Sequence, residues 1–285
     1  MTSVSVIIPS RNELFLPQTV NDLFAKATGD VEVIVALDGY WPNPPLRDHP
    51  KLHIIHRSVA MGMRSGINSA ASIAKGKYLM KVDAHCMFAE GWDEVLQAEC
   101  ADDWVVIPRR RSLEPETWTI IEKAPVDYEY LCYPYAQDEP GIHGRLWRER
   151  AKERSAPEYD VDENMSFQGS CWFTPAAHFH RVIAPLQEEG YGTFIGEPQE
   201  VGLKTWLSGG KTMVNKRTWY AHLHKGKRYG RGYFVSKSEL KRGNAYSVDY
   251  WMNNRWPERI HDIAWLVERF WPAPTWPGDR AQWKL

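Results

Sequence analysis

KYLMKVDAHCMF, residues 77–88, is the stretch on which the reading of this chain turns. An apolar run with the composition of a buried strand breaks off at Asp83, and two residues later comes His85. A strand that ends on a carboxylate and an imidazole has two ordinary explanations. It leads into a solvated turn, or it borders a place where a divalent cation is held by hard oxygen and imidazole nitrogen. The neighbouring segments decide between them.

Outward from that stretch, the first hundred residues alternate in type. SVSVIIPS (3–10) is a β-branched run closed by Pro9 and Ser10. ELFLPQTVNDLFAKA (13–27) has helical spacing at Leu16, Val20, Leu23 and Phe24. VEVIVALDG (31–39) is a second strand that ends on Asp38, and KLHIIHR (51–57) a third. MRSGINSAASIAKG (63–76) reads as a helix stopped by Gly76. WDEVLQAEC (92–100) is another helix and DWVVIPR (103–109) a fifth strand. Strand and helix alternating at this pitch predict an α/β fold, a Rossmann-like and mostly parallel sheet flanked by helices. Such sheets bind ligands beyond the carboxyl ends of their strands, where Pro9, Arg11, Asp38 and Asp83 fall. No GxGxxG follows the first strand and no GxxxxGK[ST] occurs, so dinucleotide and P-loop chemistry are disfavoured.

Beyond residue 112 the pattern loosens. Residues 112–165 are polar and charged, an insertion or an acceptor-facing region. SFQGSCWFTP (166–175) is expected to return to the sheet, PQEVGLKTWLSGG (198–210) to form a helix, and KTMVNKRTWYAHLHK (211–225) a last strand. This divides the chain into one domain over 1–244 and a Trp- and Pro-rich extension, 245–285, packed on it.

Composition narrows the function classes. A net charge of −1 gives no global field toward nucleic acid or membrane. There is no basic n-region at the start and no apolar run of about 18 residues. Cys86, Cys100, Cys132 and Cys171 lack zinc spacing, so free thiols and a cytoplasmic protein are expected. With 14 Trp and 13 Tyr, aromatic rings either fill the core or stack on sugars and bases.

The opening SVSVIIPSRNE, the strand end Leu37-Asp38-Gly39, the MGMRSG segment and the Asp83-Ala84-His85 triplet together resemble the GT-A glycosyltransferases of the family 2-like group. Asp-x-His followed by Cys86 is similar to the polypeptide N-acetylgalactosaminyltransferases in particular. So is GEPQEVGLKTWLSGGK (196–211), where Glu197, Glu200, Trp206, Gly209 and Gly210 fall in that family's spacing. Tyr220-Ala221-His222 stands where the family has its third metal ligand, and Gly169 in SFQGSCWF is retained. The resemblance spans about residues 3–225. It implies a GT-A fold and metal-dependent transfer of a sugar from a nucleotide-sugar, a UDP-sugar, to a hydroxyl with retention. It implies metal ligands Asp83, His85 and His222 for Mn²⁺ (or Mg²⁺), with His224 the rival of His222 because both point to one side of a strand. Within these 285 residues no anchor precedes the domain and no lectin module follows it. The expected acceptor is therefore a glycan, a lipid-linked glycan or modified DNA, and not a peptide.

Further residues are assigned on chemistry. Asp38 is placed to accept from a base N–H, with a β-turn aspartate as the alternative. Arg64 at a helix start, and Arg11, are placed to reach the nucleotide or its phosphates. Glu197 and Glu200 share one side of a helix start. They are the choice for sugar contact, acceptor orientation or, if transfer inverts, the general base, with charge complementarity at the helix terminus as the alternative. Residues 216–242 hold nine Lys/Arg against one Glu, interrupted by Gly226, Gly230 and Gly232. Lys225 and Arg228 in this segment are suited to neutralise a departing diphosphate. Tyr229 and Tyr233 among the arginines, with the Arg-rich 145–154 stretch, also fit a DNA-modifying transferase. A non-catalytic nucleotide-sugar-binding module is the reading of another class. A pyrophosphorylase is disfavoured, since PSRNELFLP has no glycine-rich run.

Overall fold

The structure is a computed structural model that describes residues 2–136 and 141–283. The interval 112–165 thus includes four residues, 137–140, outside the described ones. The strands in chain order are β1 (Val4–Ser10), β2 (Val31–Asp38), β3 (Leu52–Arg57), β4 (Tyr78–Val82), β5 (Cys86–Phe88), β6 (Trp104–Glu114), β7 (Thr119–Val126), β8 (Glu129–Leu131), β9 (Gly144–Leu146), β10 (Val161–Glu163), β11 (Cys171–Pro175) and β12 (Lys211–His222). The main sheet runs β10-β12-β6-β11-β4-β1-β2-β3, with β5 added to β12 and β7 to β6. β8 and β9 form a separate pair.

The sheet is mixed. The half built from β4, β1, β2 and β3 is parallel, as the alternation of strands and helices requires. In the other half β11 is antiparallel to both β4 and β6, while β6 and β12 are parallel. The expectation of a mostly parallel sheet therefore holds for the first half only. The strands after residue 104 return by hairpins and long connections, which leave antiparallel neighbours. β1 lies between two parallel neighbours and is covered on both faces by helices, so Val4, Val6, Ile7 and Ile8 are all fully buried. Each such side chain contributes about 1.5–3 kcal/mol through burial. Edge strand β3 alternates instead, with Ile54 exposed.

Three helices, Leu16–Lys26, Met63–Ile73 and Trp92–Ala98, connect the first strands. Gly66 lets the second of these lie close on β1, since a methyl group there would touch Pro9 Cβ at 3.4 Å. The helix Glu197–Leu207 packs between the sheet and the C-terminal segment.

The tryptophans of the second half have a structural use. Trp147, Trp206, Trp251, Trp256, Trp276 and Trp283 form one apolar cluster with Phe270 and the helices Lys237–Met252 and Ile263–Arg269. Their indole N–H groups are satisfied where buried: Trp206 donates to Thr212 Oγ1 at 2.8 Å, Trp251 to Tyr191 Oη at 2.6 Å and Trp276 to Leu131 O at 2.6 Å. Cys86, Cys100, Cys132 and Cys171 are all free thiols. Among the described residues no helix is long and apolar enough to cross a membrane.

Candidate functional site

The carboxyl ends of β1, β2 and β4 open on a cavity of about 370 Å³, bordered on its far side by the chain leaving β12. Pro9, Arg11, Asp38, Asp83, His85, His222, His224 and Lys225 all face it.

Three of these converge. β5 pairs antiparallel with β12 in the register Cys86↔His222, which sets His85 beside the end of β12. Leu223 N–H also donates to His85 O at 3.2 Å. His85 Nε2 lies 3.1 Å from His222 Nε2, and Asp83 Oδ2 lies 3.3 Å from His222 Nε2 and 3.9 Å from His85 Nε2. His224 stands outside the group, with its ring edge-on to His222 at 5.0 Å.

Glu13 accepts from His85 Nδ1 at 3.1 Å, which leaves the lone pair on Nε2, the atom facing His222. His222 Nδ1 is buried without a hydrogen-bond partner. Ligands about 2.1 Å from one ion stand roughly 3 Å apart, so these separations are those of a shared coordination shell. Two imidazole nitrogens and a carboxylate oxygen meeting at that distance form a donor set that fits a divalent cation of Mn²⁺ character.

Lys81 prepares Asp83 for this. It lies two residues back on β4 and so points to the same side. Its side chain is 1 % exposed, and Nζ donates to Asp83 Oδ1 at 2.6 Å and to Gly169 O. One carboxylate oxygen is thereby fixed and the other turned toward the histidines. Burial works against the charged form of Asp83. The neighbouring Lys81, then His222 and His85, nevertheless hold its carboxyl well below the usual range. Burial pushes His222 down to about 3, so its ring is neutral and able to ligate near neutral pH. For Lys81, burial is outweighed by Asp83 and Glu197, and its pKa rises above the ordinary lysine value.

The other predicted residues fall into two sets. Asp38 faces the cavity, and both its oxygens accept backbone N–H groups, from Met61 at 2.7 Å and Gly62 at 2.9 Å. It holds the loop before the second helix. Arg11 lies over the Tyr233 ring at 5.2 Å, and Lys225 pairs with Glu13 at 2.6 Å.

Arg64, Glu197, Glu200 and Arg228 do not line the cavity. Arg64 is buried on Glu200, with Nε donating to Ile195 O at 3.0 Å and its guanidinium 3.9 Å above the Tyr191 ring. Glu200 is 0 % exposed, and also meets Lys204 at 2.8 Å and Gln187 N–H at 3.0 Å. Its carboxylate is thus engaged in the core, outside the cavity lining. Glu197 lies beneath the cavity floor and accepts from Trp172 Nε1 at 2.5 Å; burial raises its pKa. Arg228 sits on the outside, paired with Glu116. Trp206 is core, as its helical position predicts.

Glu13 and Lys81 were not singled out by the sequence reading. The signal is there: a charged residue in the middle of KYLMKVD, two before Asp83, must be buried with a partner. The rings proposed for base stacking are half-buried and make contacts within the chain, Tyr229 edge-to-face on Phe15 at 5.3 Å and Tyr233 under Arg11. The Arg145–Arg154 stretch lines a separate groove with Tyr130, Trp147 and Trp271.

Comparison with known proteins bears on the fold. Residues 5–145, just under half of the chain, match the family described as Glycosyl transferase family 2. A Drosophila melanogaster protein described as "Putative polypeptide N-acetylgalactosaminyltransferase 9" is 24% identical over 290 residues, covering 93% of this chain and 42% of the relative. The chain thus spans about two fifths of that relative's length. The crystal structure of GalNAc-T7 with UDP, GalNAc and Mn²⁺ superposes with a TM-score of 0.67 at 18% identity, covering 88% of this chain and 49% of that one. S. aureus TarS 1–349 in complex with UDP gives 0.56 at 13% identity, covering 94% and 69%. These likenesses establish a GT-A-type fold.

Proposed function

We propose that this protein is a glycosyltransferase that moves a sugar from a nucleotide-sugar, in the first place a UDP-sugar, to a hydroxyl acceptor with the help of a divalent cation. The observation that carries the reading is the meeting of Asp83, His85 and His222 at the mouth of the strand-end cavity. The family 2 match over residues 5–145, and relatives crystallised with UDP, support the donor class.

Asp83, His85 and His222 would hold the cation, which neutralises a diphosphate and makes it a better leaving group. The mixed oxygen and nitrogen set favours Mn²⁺ over Mg²⁺. The chain's own residues supply the rest. Lys225, Arg231 and Arg11 border the cavity and place positive charge where a departing diphosphate collects negative charge. Glu13, Asp38 and Asp83 are the carboxylates among the described cavity-lining residues. Glu13 and Asp83 carry ion pairs and Asp38 carries two backbone N–H groups. With no unengaged carboxylate there to deprotonate an acceptor, transfer with retention fits better than inversion, which needs an enzymic base.

The test is a screen of UDP-sugars for Mn²⁺-dependent UDP release, since slow hydrolysis reveals the donor without the acceptor. Turnover that requires Mn²⁺ and is lost in Asp83→Ala supports the reading. Absence of both UDP release and calorimetric UDP binding across the panel overturns it. Proton NMR of the product then settles stereochemistry: a β-product from an α-donor refutes retention.

A further inference from the structure

One short stretch, residues 11–15, grips the segment that follows β12 at four points. Arg11 stacks on Tyr233 at 5.2 Å. Asn12 Nδ2 donates to Gly232 O at 2.7 Å. Glu13 receives Lys225 Nζ on both oxygens, at 2.6 and 2.7 Å. Phe15 meets Tyr229 edge-to-face at 5.3 Å. The approach is close: a Cβ on Gly232 would lie 2.6 Å from Asn12 Cβ, and Asn12 itself sits at φ +52°. Elsewhere the segment is held by Arg228 on Glu116 and by Arg231 over the Phe194 ring at 4.3 Å, and Phe234 beside it is 86 % exposed.

Glu13 alone of the four also touches the Asp83, His85 and His222 group, through His85 Nδ1 at 3.1 Å. We propose that Glu13 is a positioning residue that couples capture of the cation by His85 to fastening of the basic segment 225–233. The inference rests on the cation reading given under Proposed function. The carboxylate orients the imidazole and raises the donor strength of Nε2, as outer-shell carboxylates do for ligating histidines. The same carboxylate is the anchor for Lys225, the residue where the segment begins. A cation on Nε2 strengthens the Nδ1–H bond to Glu13, which keeps the anchor in place for Lys225. By linkage, fastening Lys225 must favour cation capture by the same factor. Arg11, Asn12 and Phe15, with Glu116 and Phe194 from elsewhere in the chain, supply the remaining grip, and the coupling passes through Glu13, which bonds both His85 and Lys225.

The experiment measures two quantities on the full chain: Mn²⁺ affinity by calorimetry, and the rate of tryptic cleavage at residues 225–231 with and without Mn²⁺. In the wild type, Mn²⁺ should slow cleavage by about tenfold, within the usual range of coupling between sites. In Glu13→Gln and Glu13→Ala, Mn²⁺ should bind about 10–100-fold more weakly, and cleavage should be fast and indifferent to Mn²⁺. Lys225→Met keeps the tryptic sites at Lys227, Arg228 and Arg231. It should abolish metal-dependent protection and weaken Mn²⁺ by the factor the wild-type protection predicts. The proposal is overturned if both Glu13 variants bind Mn²⁺ within twofold of the wild type and Mn²⁺ still protects them. If those variants do not fold, Lys225→Met decides alone: unchanged affinity and protection overturn the coupling. A wild-type protein that takes up neither Mn²⁺ nor UDP ends the cation reading and this inference with it, an outcome distinct from unaltered variants of a metal-binding wild type.

Discussion

Replacing Lys81 by methionine tests the logic of the site at its base. The substitution keeps the length of an unbranched side chain and removes the charge from a place that is 1 % exposed. Two groups lose their hydrogen-bond partner, Asp83 Oδ1 at 2.6 Å and Gly169 O, and the buried Glu197, bonded to Trp172, loses a nearby positive charge. Breaking a buried ion pair from one side costs about 3–5 kcal/mol. Asp83, however, is 27 % exposed on the cavity side and recovers some hydration. The lower end, about 3 kcal/mol, is therefore expected. With a urea slope of about 3 kcal/mol per molar, the unfolding midpoint should fall by about 1 M. The double variant Lys81→Met/Asp83→Asn removes the uncompensated anion and should recover about 1–2 kcal/mol, a coupling of the size seen between contacting residues. In the single variant, the cation that holds the Asp83 carboxyl low is gone. Its carboxylate is no longer oriented either, and Mn²⁺ affinity by calorimetry should drop about 10–100-fold. A Lys81→Met protein that loses under 1 kcal/mol and binds Mn²⁺ like the wild type would refute the claim that this lysine sets the Asp83 carboxylate.

The remaining expectations are briefer. Asp83→Asn and His222→Ala should each lower Mn²⁺ affinity and Mn²⁺-dependent UDP release by at least about 100-fold, whereas His224→Ala should keep Mn²⁺ affinity within about threefold; calorimetry and a coupled UDP assay read both. Mn²⁺ at a hundred times the wild-type dissociation constant should stabilise the wild type by about 2.7 kcal/mol and Asp83→Asn by no more than about 0.4 kcal/mol, as seen in thermal melts. His178 is buried against Thr205, and burial lowers its pKa from 6.5 to about 4. The unfolded chain takes up a proton below pH 6.5 that the folded state refuses until about pH 4. Stability should therefore fall by about 3 kcal/mol as pH drops through that window, and His178→Gln should flatten this part of the curve in urea titrations. Trp251→Ala should cost about 3–5 kcal/mol through the cavity it leaves in the C-terminal cluster, with a single unfolding transition if residues 245–283 share the domain's cooperativity.

What the sequence disclosed, and what it withheld, follows from how far each signal reaches along the chain. Strands in the middle of the sheet are buried on both faces, so β1, β2 and β4 announce themselves as largely apolar runs, and Asp38 and Asp83 at the ends of β2 and β4 are placed by those runs. The direction of β11 and the addition of β5 to β12 depend on contacts between residues more than eighty positions apart, which no local period records. For that reason His222 followed from motif spacing and not from periodicity. Arg64, Glu197 and Glu200 carry the opposite lesson. A charged residue at a helix start reads as a ligand contact because a helix terminus attracts opposite charge. Here Arg64 and Glu200 neutralise each other under Tyr191, and Glu197 turns toward Trp172 and the cavity floor. Lys81 shows how such cases can be separated in advance. A lysine inside an apolar strand has no solvent to reach, so its partner must lie on the same face, and two residues on that is Asp83. The charge worth following in such a sequence is the one the local pattern cannot hydrate, because its partner must be held in a fixed place, and a fixed carboxylate is what a cation site requires.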